Sequence, residues 1–225
     1  MRRPQTSRLL PFMLRAHGLA CDRGDRRLFS AVDLSVSPGE WLQVEGANGA
    51  GKTSLLRILA GLAPVAEGLI EWEGRPVAEV RDDYHARLLY LGHAPAIKED
   101  LSALENLHTT AAVAGRPLDE ATAMAALRRI GLKGREDLPA RVLSQGQKRR
   151  VALARLLCSQ ARLWILDEPF VALDVAAVAQ LCSILDDHLS RGGMLIFTSH
   201  QAVQLAGTGA SLRLGTPPAP REGAA

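Results

Sequence analysis

Residues 46–53 read Gly46-Ala47-Asn48-Gly49-Ala50-Gly51-Lys52-Thr53. The spacing Gly-x4-Gly-Lys-Thr is that of a phosphate-binding loop, and the flanking sequence supplies the context such a loop needs. Upstream, 41–45 reads as a strand. Downstream, 52–60 carries Leu55, Leu56, Ile58 and Leu59 at helical spacing and is stopped by Gly61 and Pro64. In the order strand, glycine loop, helix, successive backbone N–H groups converge on phosphate oxygens, backed by the partial positive charge of the helix start. Gly46, Ala47, Asn48, Gly49, Ala50, Gly51, Lys52, Thr53 and Ser54 are therefore nucleotide-binding candidates. Lys52 supplies a point charge to the β- and γ-phosphates, and the Thr53 hydroxyl is a ligand for Mg²⁺. The alternative, a glycine-rich turn followed by a chance Lys-Thr, does not account for the flanking elements.

Outward from the loop, Val32, Leu34 and Val36 alternate with polar residues as a half-buried strand does, and Pro38-Gly39 turns the chain. From about 101 to 159 the pattern changes to short helices. Ser102 with Glu105 and Ser144 with Gln147 have capping-box spacing, and Asp119 can cap a helix that ends at Gly131. Strand character returns at 163–166 and 194–197, around an apolar helix at 175–189. Alternating strands and helices specify parallel crossovers, whereas helices in succession do not. The expected fold is thus α/β, a parallel sheet interrupted by an all-helical insert. Pro217-Pro218-Ala219-Pro220 reads as an unstructured tail.

The 225 residues, 47% hydrophobic and 23% charged, suit one large folded domain or two interlocked lobes rather than a disordered chain. No stretch approaches the ~20 apolar residues that cross a bilayer. Met1-Arg2-Arg3 and the run 9–14 look like a signal peptide, but Pro11 interrupts the run and Arg15 closes it, so secretion is not expected. A net charge of +3 lacks the dense basic stripe of a nucleic-acid binder. Cys21, Cys158 and Cys182 are odd in number and widely spaced, which fits a reducing cytoplasm and a role as small buried hydrophobes.

Three further places carry chemistry. Asp167 and Glu168 follow the apolar strand at 163–166, at the carboxyl end where open α/β sheets bind ligands. There Asp167 can hold the Mg²⁺ shell and Glu168 can polarise an attacking water; a solvated acidic turn is the plain alternative. His200 follows the strand at 194–197 and so reaches the same edge, which favours a place beside the γ-phosphate over the plain alternative of a surface or satisfied core histidine. Ser144-Gln145-Gly146-Gln147 starts a helix bearing Lys148, Arg149, Arg150 and Arg155. Read locally, that helix is a capped amphipathic one with a basic solvated face, and its free N–H groups can also meet an anion.

The phosphate loop, Leu143-Ser144-Gln145-Gly146-Gln147, Leu166-Asp167-Glu168-Pro169, Ala172-Leu173-Asp174 and Ser199-His200 follow one another as in the nucleotide-binding domain of ABC transporters, which nearly the entire chain resembles. The resemblance implies a phosphate-loop NTPase core with a parallel sheet, an antiparallel β edge and an inserted helical subdomain. The single domain would span 14–225, with core 14–95 and 160–215, helical part about 96–159 and tail 216–225. It also implies a homodimer, or a heterodimer with a similar chain, in which Ser144, Gly146 and Gln147 touch the γ-phosphate bound by the opposite subunit and Asp174 lies at the seam. Catalysis would fall to Glu168, His200 and Lys52.

Further stretches resemble the ATPase subunits of cytochrome c maturation haem exporters: Leu28-Phe29-Ser30, Gly39-Glu40-Trp41, Tyr90-Leu91-Gly92-His93 to Ile97-Lys98, 101–107, 149–156 and 163–170. That resemblance implies MgATP hydrolysis coupled to haem export or to release of a haem-loaded chaperone. It implies as partners an ABC membrane subunit and a haem-handling membrane complex, no nucleic acid, and a peripheral place on the cytoplasmic face of the inner membrane. An ABC transporter ATPase for another small substrate is the alternative. A soluble ABC protein acting on ribosomes or DNA is the third reading, but it ordinarily has two cassettes or long coiled-coil insertions.

Three positions depart from the general ABC pattern. His93 stands where a glutamine ordinarily contacts Mg²⁺, and a neutral imidazole can also ligate. Gln145 replaces a glycine of the signature and adds a polar group beside the phosphate. The adenine-stacking aromatic is missing, and Arg23, near the aligned position, can stack its planar guanidinium instead.

Overall fold

A computed structural model describes residues 13–215. The tail 216–225 and residues 1–12, most of the signal-like start, lie outside the described residues. The chain opens with a long antiparallel pair, β1 (Leu14–Arg23) and β2 (Arg26–Val36), and then enters the central strand β3 (Glu40–Glu45). After α1 (Lys52–Leu59), β4 (Glu67–Trp72) pairs antiparallel with β1 and carries the short β5 (Arg75–Pro76). Then come α2 (Arg81–Ala86), β6 (Leu88–Leu91), α3 (Ala103–Val113), α4 (Glu120–Arg129), α5 (Gln145–Leu157), β7 (Leu163–Leu166), α6 (Val175–Ser190), β8 (Met194–Thr198) and β9 (Thr208–Arg213).

The antiparallel component forms a four-stranded sheet of its own, ordered β2-β1-β4-β5. The second sheet, β6-β7-β8-β3-β9, is parallel throughout. Its middle strands are buried on both faces, as parallel strands between two layers must be. Leu163, Ile165, Met194 and Ile196 face α1 and the antiparallel sheet, in a core shared with Leu55, Leu56, Trp72 and Tyr84. Trp164, Leu166, Leu195 and Phe197 point the other way, toward α3 to α6, in a core with Leu107, Leu127, Leu153 and Leu185. The period of two along each strand thus divides the interior.

Helix ends follow the side-chain chemistry anticipated for them. Ser102 and Glu105 form a reciprocal capping box at α3, Ser144 and Gln147 do so at α5, and Asp119 caps α4 through the Thr122 N–H at 2.8 Å. α1 ends one residue earlier than expected, with Ala60 at its C-cap and Gly61 at φ 69°.

The parallel register positions the site. Leu91 pairs with Leu166, Leu166 with Phe197, and Thr198 with Val44. The carboxyl ends of β6, β7, β8 and β3 therefore finish side by side, and the segments that follow them emerge on one edge.

Candidate active site

At that edge the chain leaves β3 and turns through 46–51 into α1. Gly51 adopts φ 97° and lies against Phe29, where an added Cβ would come within 3.0 Å of Cδ1; both the angle and the contact call for glycine. No side chain caps α1, so the N–H groups of its first turn remain open to an anion. Lys52 Nζ lies across the loop, donating to Gly46 O at 2.8 Å and to Ala47 O at 3.4 Å. Ala47, Asn48, Gly49, Gly51, Lys52, Thr53 and Ser54 line a cavity of about 330 Å³ whose other walls are Arg23, Leu28, His93, Asp167, Glu168 and His200. Of the loop residues, Ala50 is buried beneath it and Gly46 lines the adjoining hollow with Ser199 and His200.

Asp167 is 2% exposed, and hydroxyls hold both of its oxygens. Thr53 Oγ1 donates to Oδ2 at 2.8 Å and Thr198 Oγ1 to Oδ1 at 2.7 Å. Thr198 Oγ1 also accepts from the Glu168 N–H at 2.8 Å. Glu168 has φ 51°, which is unusual for a residue with a side chain. Its Oε1 is buried without an aligned hydrogen bond, although His200 Nε2 stands within ion-pair reach at 3.4 Å. An open carboxylate oxygen beside a hydroxyl and a second carboxylate fits a hard divalent cation and its waters. Thr53 and Asp167 therefore supply oxygen donors suited to Mg²⁺, His93 lies on the same cavity wall, and the open Glu168 oxygen suits a water beside the ion.

The expected basic, solvated face of α5 is not what forms. Lys148 pairs with Glu99 at 2.5 Å and Arg150 with Asp174 at 2.8 Å, while Arg149 is 4% exposed and Arg155 Nε is buried. Lys148 and Arg150 are drawn into ion pairs at the surface, whereas Arg149 turns inward to polar partners beneath the helix-side core. Arg149 donates to five carbonyl oxygens, those of Gly92, His93, Asp167, Glu168 and Pro169. Burial lowers its pKa, and the negative charges of Asp167 and Glu168 oppose that shift. Neither Thr198 nor Arg149 was among the expected site residues. Both left a signal: a hydroxyl ending a wholly apolar strand, and an arginine on the 149, 152, 153, 156 stripe that is otherwise apolar.

Within one chain, Ser144, Gly146, Gln147 and Asp174 stay apart from the cavity. Ser144 and Asp174 are exposed. Gly146 packs on the backbone after β7, where an added Cβ would come 2.6 Å from Ala172 O. Asp174 caps α6 through the Ala177 N–H at 2.8 Å and holds Arg150 with its other oxygen. Cys21 is buried, and Cys158 and Cys182 are half-buried free thiols. Burial pushes the Cys158 thiol up to about 11.

The family model of the ABC transporter matches residues 29–171. The cytochrome c biogenesis ATP-binding export protein CcmA of Dechloromonas aromatica (strain RCB) is 56% identical over 204 residues, covering 90% of this chain and 100% of that protein. The protein of the same name from Methylococcus capsulatus is 55% identical over 199 residues, covering 88% and 96%. The chain belongs to the CcmA group of ABC transporter ATP-binding proteins. Its fold is that of solved cassettes, among them the dimeric post-hydrolysis state of MJ0796 bound to ADP and Pi. That chain aligns at a TM-score of 0.73 and 21% identity, over 84% of this chain and 88% of its own length. As an ABC cassette, this CcmA-group protein is an ATP hydrolase coupled to export that works with membrane subunits. Among the described residues no helix is long and apolar enough to cross a membrane.

Proposed function

We propose that this chain drives c-type cytochrome biogenesis by coupling MgATP hydrolysis to haem export, or to release of a haem-loaded chaperone, through an ABC membrane subunit and an associated haem-handling complex. The names of its relatives support the place in cytochrome c biogenesis and the link to export. The observation that carries the chemistry is the cavity in which phosphate loop, Asp167, Glu168 and His200 meet. In this reading the chain sits peripherally at the cytoplasmic face of the inner membrane. The helical part, about 96–159, is inserted between the two halves of one ATP-binding core, 14–95 and 160–215.

The phosphate loop and Lys52 hold the β- and γ-phosphates of ATP, and Arg23 stacks on the adenine. Thr53, Asp167 and His93 would hold Mg²⁺, which when bound would supply charge neutralisation at the phosphates. Glu168, its Oε1 open and its backbone tied to Thr198, orients water and takes its proton as the oxygen attacks the γ-phosphorus. The bond from that phosphorus to the bridging oxygen breaks, and ADP leaves with the electron pair. His200 stands beside the γ-phosphate and steadies the carboxylate. Ser144, Gly146, Gln147 and Asp174 act on the nucleotide of the opposite cassette, which agrees with their distance from the cavity of their own chain.

Two experiments test this reading. Glu168→Gln is expected to keep ATP affinity while turnover falls about 10²- to 10⁴-fold; wild-type turnover in that variant removes Glu168 as base. Lys52→Ala in the host is expected to stop cytochrome c maturation while the haem-loaded chaperone accumulates. Normal c-type cytochromes in that strain, or copurification with an unrelated permease, would overturn the haem assignment and leave the ATPase intact.

A further inference from the structure

Arg149 is the fifth residue of α5 and is 4% exposed. Its Nη1 donates to Gly92 O at 3.2 Å and His93 O at 3.1 Å. Its Nη2 donates to Asp167 O at 3.0 Å and Glu168 O at 2.7 Å, and its Nε reaches Pro169 O at 3.4 Å. A guanidinium has five N–H donors, and here three nitrogens meet five main-chain oxygens with no carboxylate among them. Burying a cation is costly even with the negative charges of Asp167 and Glu168 nearby, so packing by itself would favour an apolar side chain at this place. A planar fork does what an apolar residue cannot: it fixes two separate backbone segments relative to one plane.

Those segments follow β6 and β7. One carries His93; the other carries Asp167 and Glu168, with Glu168 in the left-handed region at φ 51°. The Glu168 carbonyl accepts the shortest of the five bonds, next to the φ that aims its side chain. The neighbouring Lys148 pairs with Glu99 on the segment that continues from His93, so α5 grips that segment twice. We infer that Arg149 is a positioning residue for hydrolysis. It locks the turn that aims the Glu168 carboxylate and ties that turn to the His93 segment and to the helix that begins with Ser144. A shift of α5 therefore reaches the carboxylate through one side chain. The inference rests on the reading of Glu168 as the base.

The test is a double-mutant cycle on the full chain, read by single-turnover ATP hydrolysis with protein in excess, ATP affinity and thermal melting. Arg149→Met is expected to slow hydrolysis about 10- to 100-fold, the scale of a small misplacement of a reacting group. ATP affinity should stay within about 2-fold. In the Glu168→Gln background the same substitution should change the residual rate by no more than about 2-fold, because there is no base left to misplace. Arg149→Lys keeps the charge and three donors but not the fork, and is expected to fall between wild type and Arg149→Met. If Arg149→Met does not fold, the lysine variant carries the cycle. An equal loss in both backgrounds, or a loss of ATP affinity matching the loss of rate, would reduce Arg149 to a fold-stabilising residue and overturn the inference. Full turnover by Glu168→Gln alone would instead remove the base assignment.

Discussion

Two helix starts in this chain carry glycine and polar residues at phosphate-friendly spacing, and they are finished in opposite ways. α1 begins after Gly51 in a left-handed conformation with no side-chain cap, inside the cavity walled by Asp167 and Glu168. α5 begins with a closed capping box: Ser144 Oγ accepts from Gln147 N–H at 3.2 Å and Gln147 Oε1 accepts from Ser144 N–H at 2.9 Å. One start leaves its donors for a ligand; the other satisfies part of them internally and faces outward. The difference shows that a helix start is an anion site only to the extent that its own residues leave it open. It also separates what one chain does alone from what needs a second.

The largest contrast should come from Lys52→Ala. Losing a charge-assisted contact is expected to weaken ATP binding to the isolated chain about 10- to 100-fold, measured by titration with a fluorescent nucleotide. Unchanged affinity would break the assignment of α1 as the binding start. Next is Gly146→Ala, whose added Cβ would meet Ala172 O at 2.6 Å. A cost of about 1–3 kcal/mol is expected, seen as a lower melting temperature, with nucleotide affinity of the isolated chain preserved. The smallest effect is that of Ser144→Ala. Loss of the cap should lower stability by about 1 kcal/mol and leave monomer affinity intact, while turnover of the paired cassettes falls. Reduced ATP binding by the isolated Ser144 variant would erase the contrast between the two starts.

Much of the fold was legible where local chemistry is decisive. The phosphate loop, both capping boxes and the strands β7 and β8 follow from spacing and periodicity. The polar edge strand β9 and the bulged β1 were not, since neither keeps a clean alternation. β1 shifts register three times against β2, and β9 is mostly exposed. The basic run on α5 was legible, but taken locally it reads as a solvated face, since nothing within the run itself says which of its cations will be buried. Arg149 shows why that inference fails: a buried cation is tolerated when enough carbonyl dipoles converge on it. Thr198 was hidden for a related reason. A threonine ending an apolar strand looks like ordinary β-branched packing until its hydroxyl is seen between Asp167 and the Glu168 N–H.

The sequence by itself determined which local groups this protein possesses: an uncapped glycine start for phosphate, a capped start beside it in kind, and two carboxylates behind an apolar strand. These depend on residues within a few positions of one another, so the chain specifies them before it folds. Only the tertiary structure decided which of them meet. Parallel pairing of Leu91 with Leu166, Leu166 with Phe197 and Thr198 with Val44 sets four strand ends on one edge. It brings Thr53 to Asp167 and Thr198 to Glu168, and leaves Ser144 and Asp174 outside. Pairing register is a property of strands distant in the chain, chosen by two cores that must both be filled, and no local pattern encodes it.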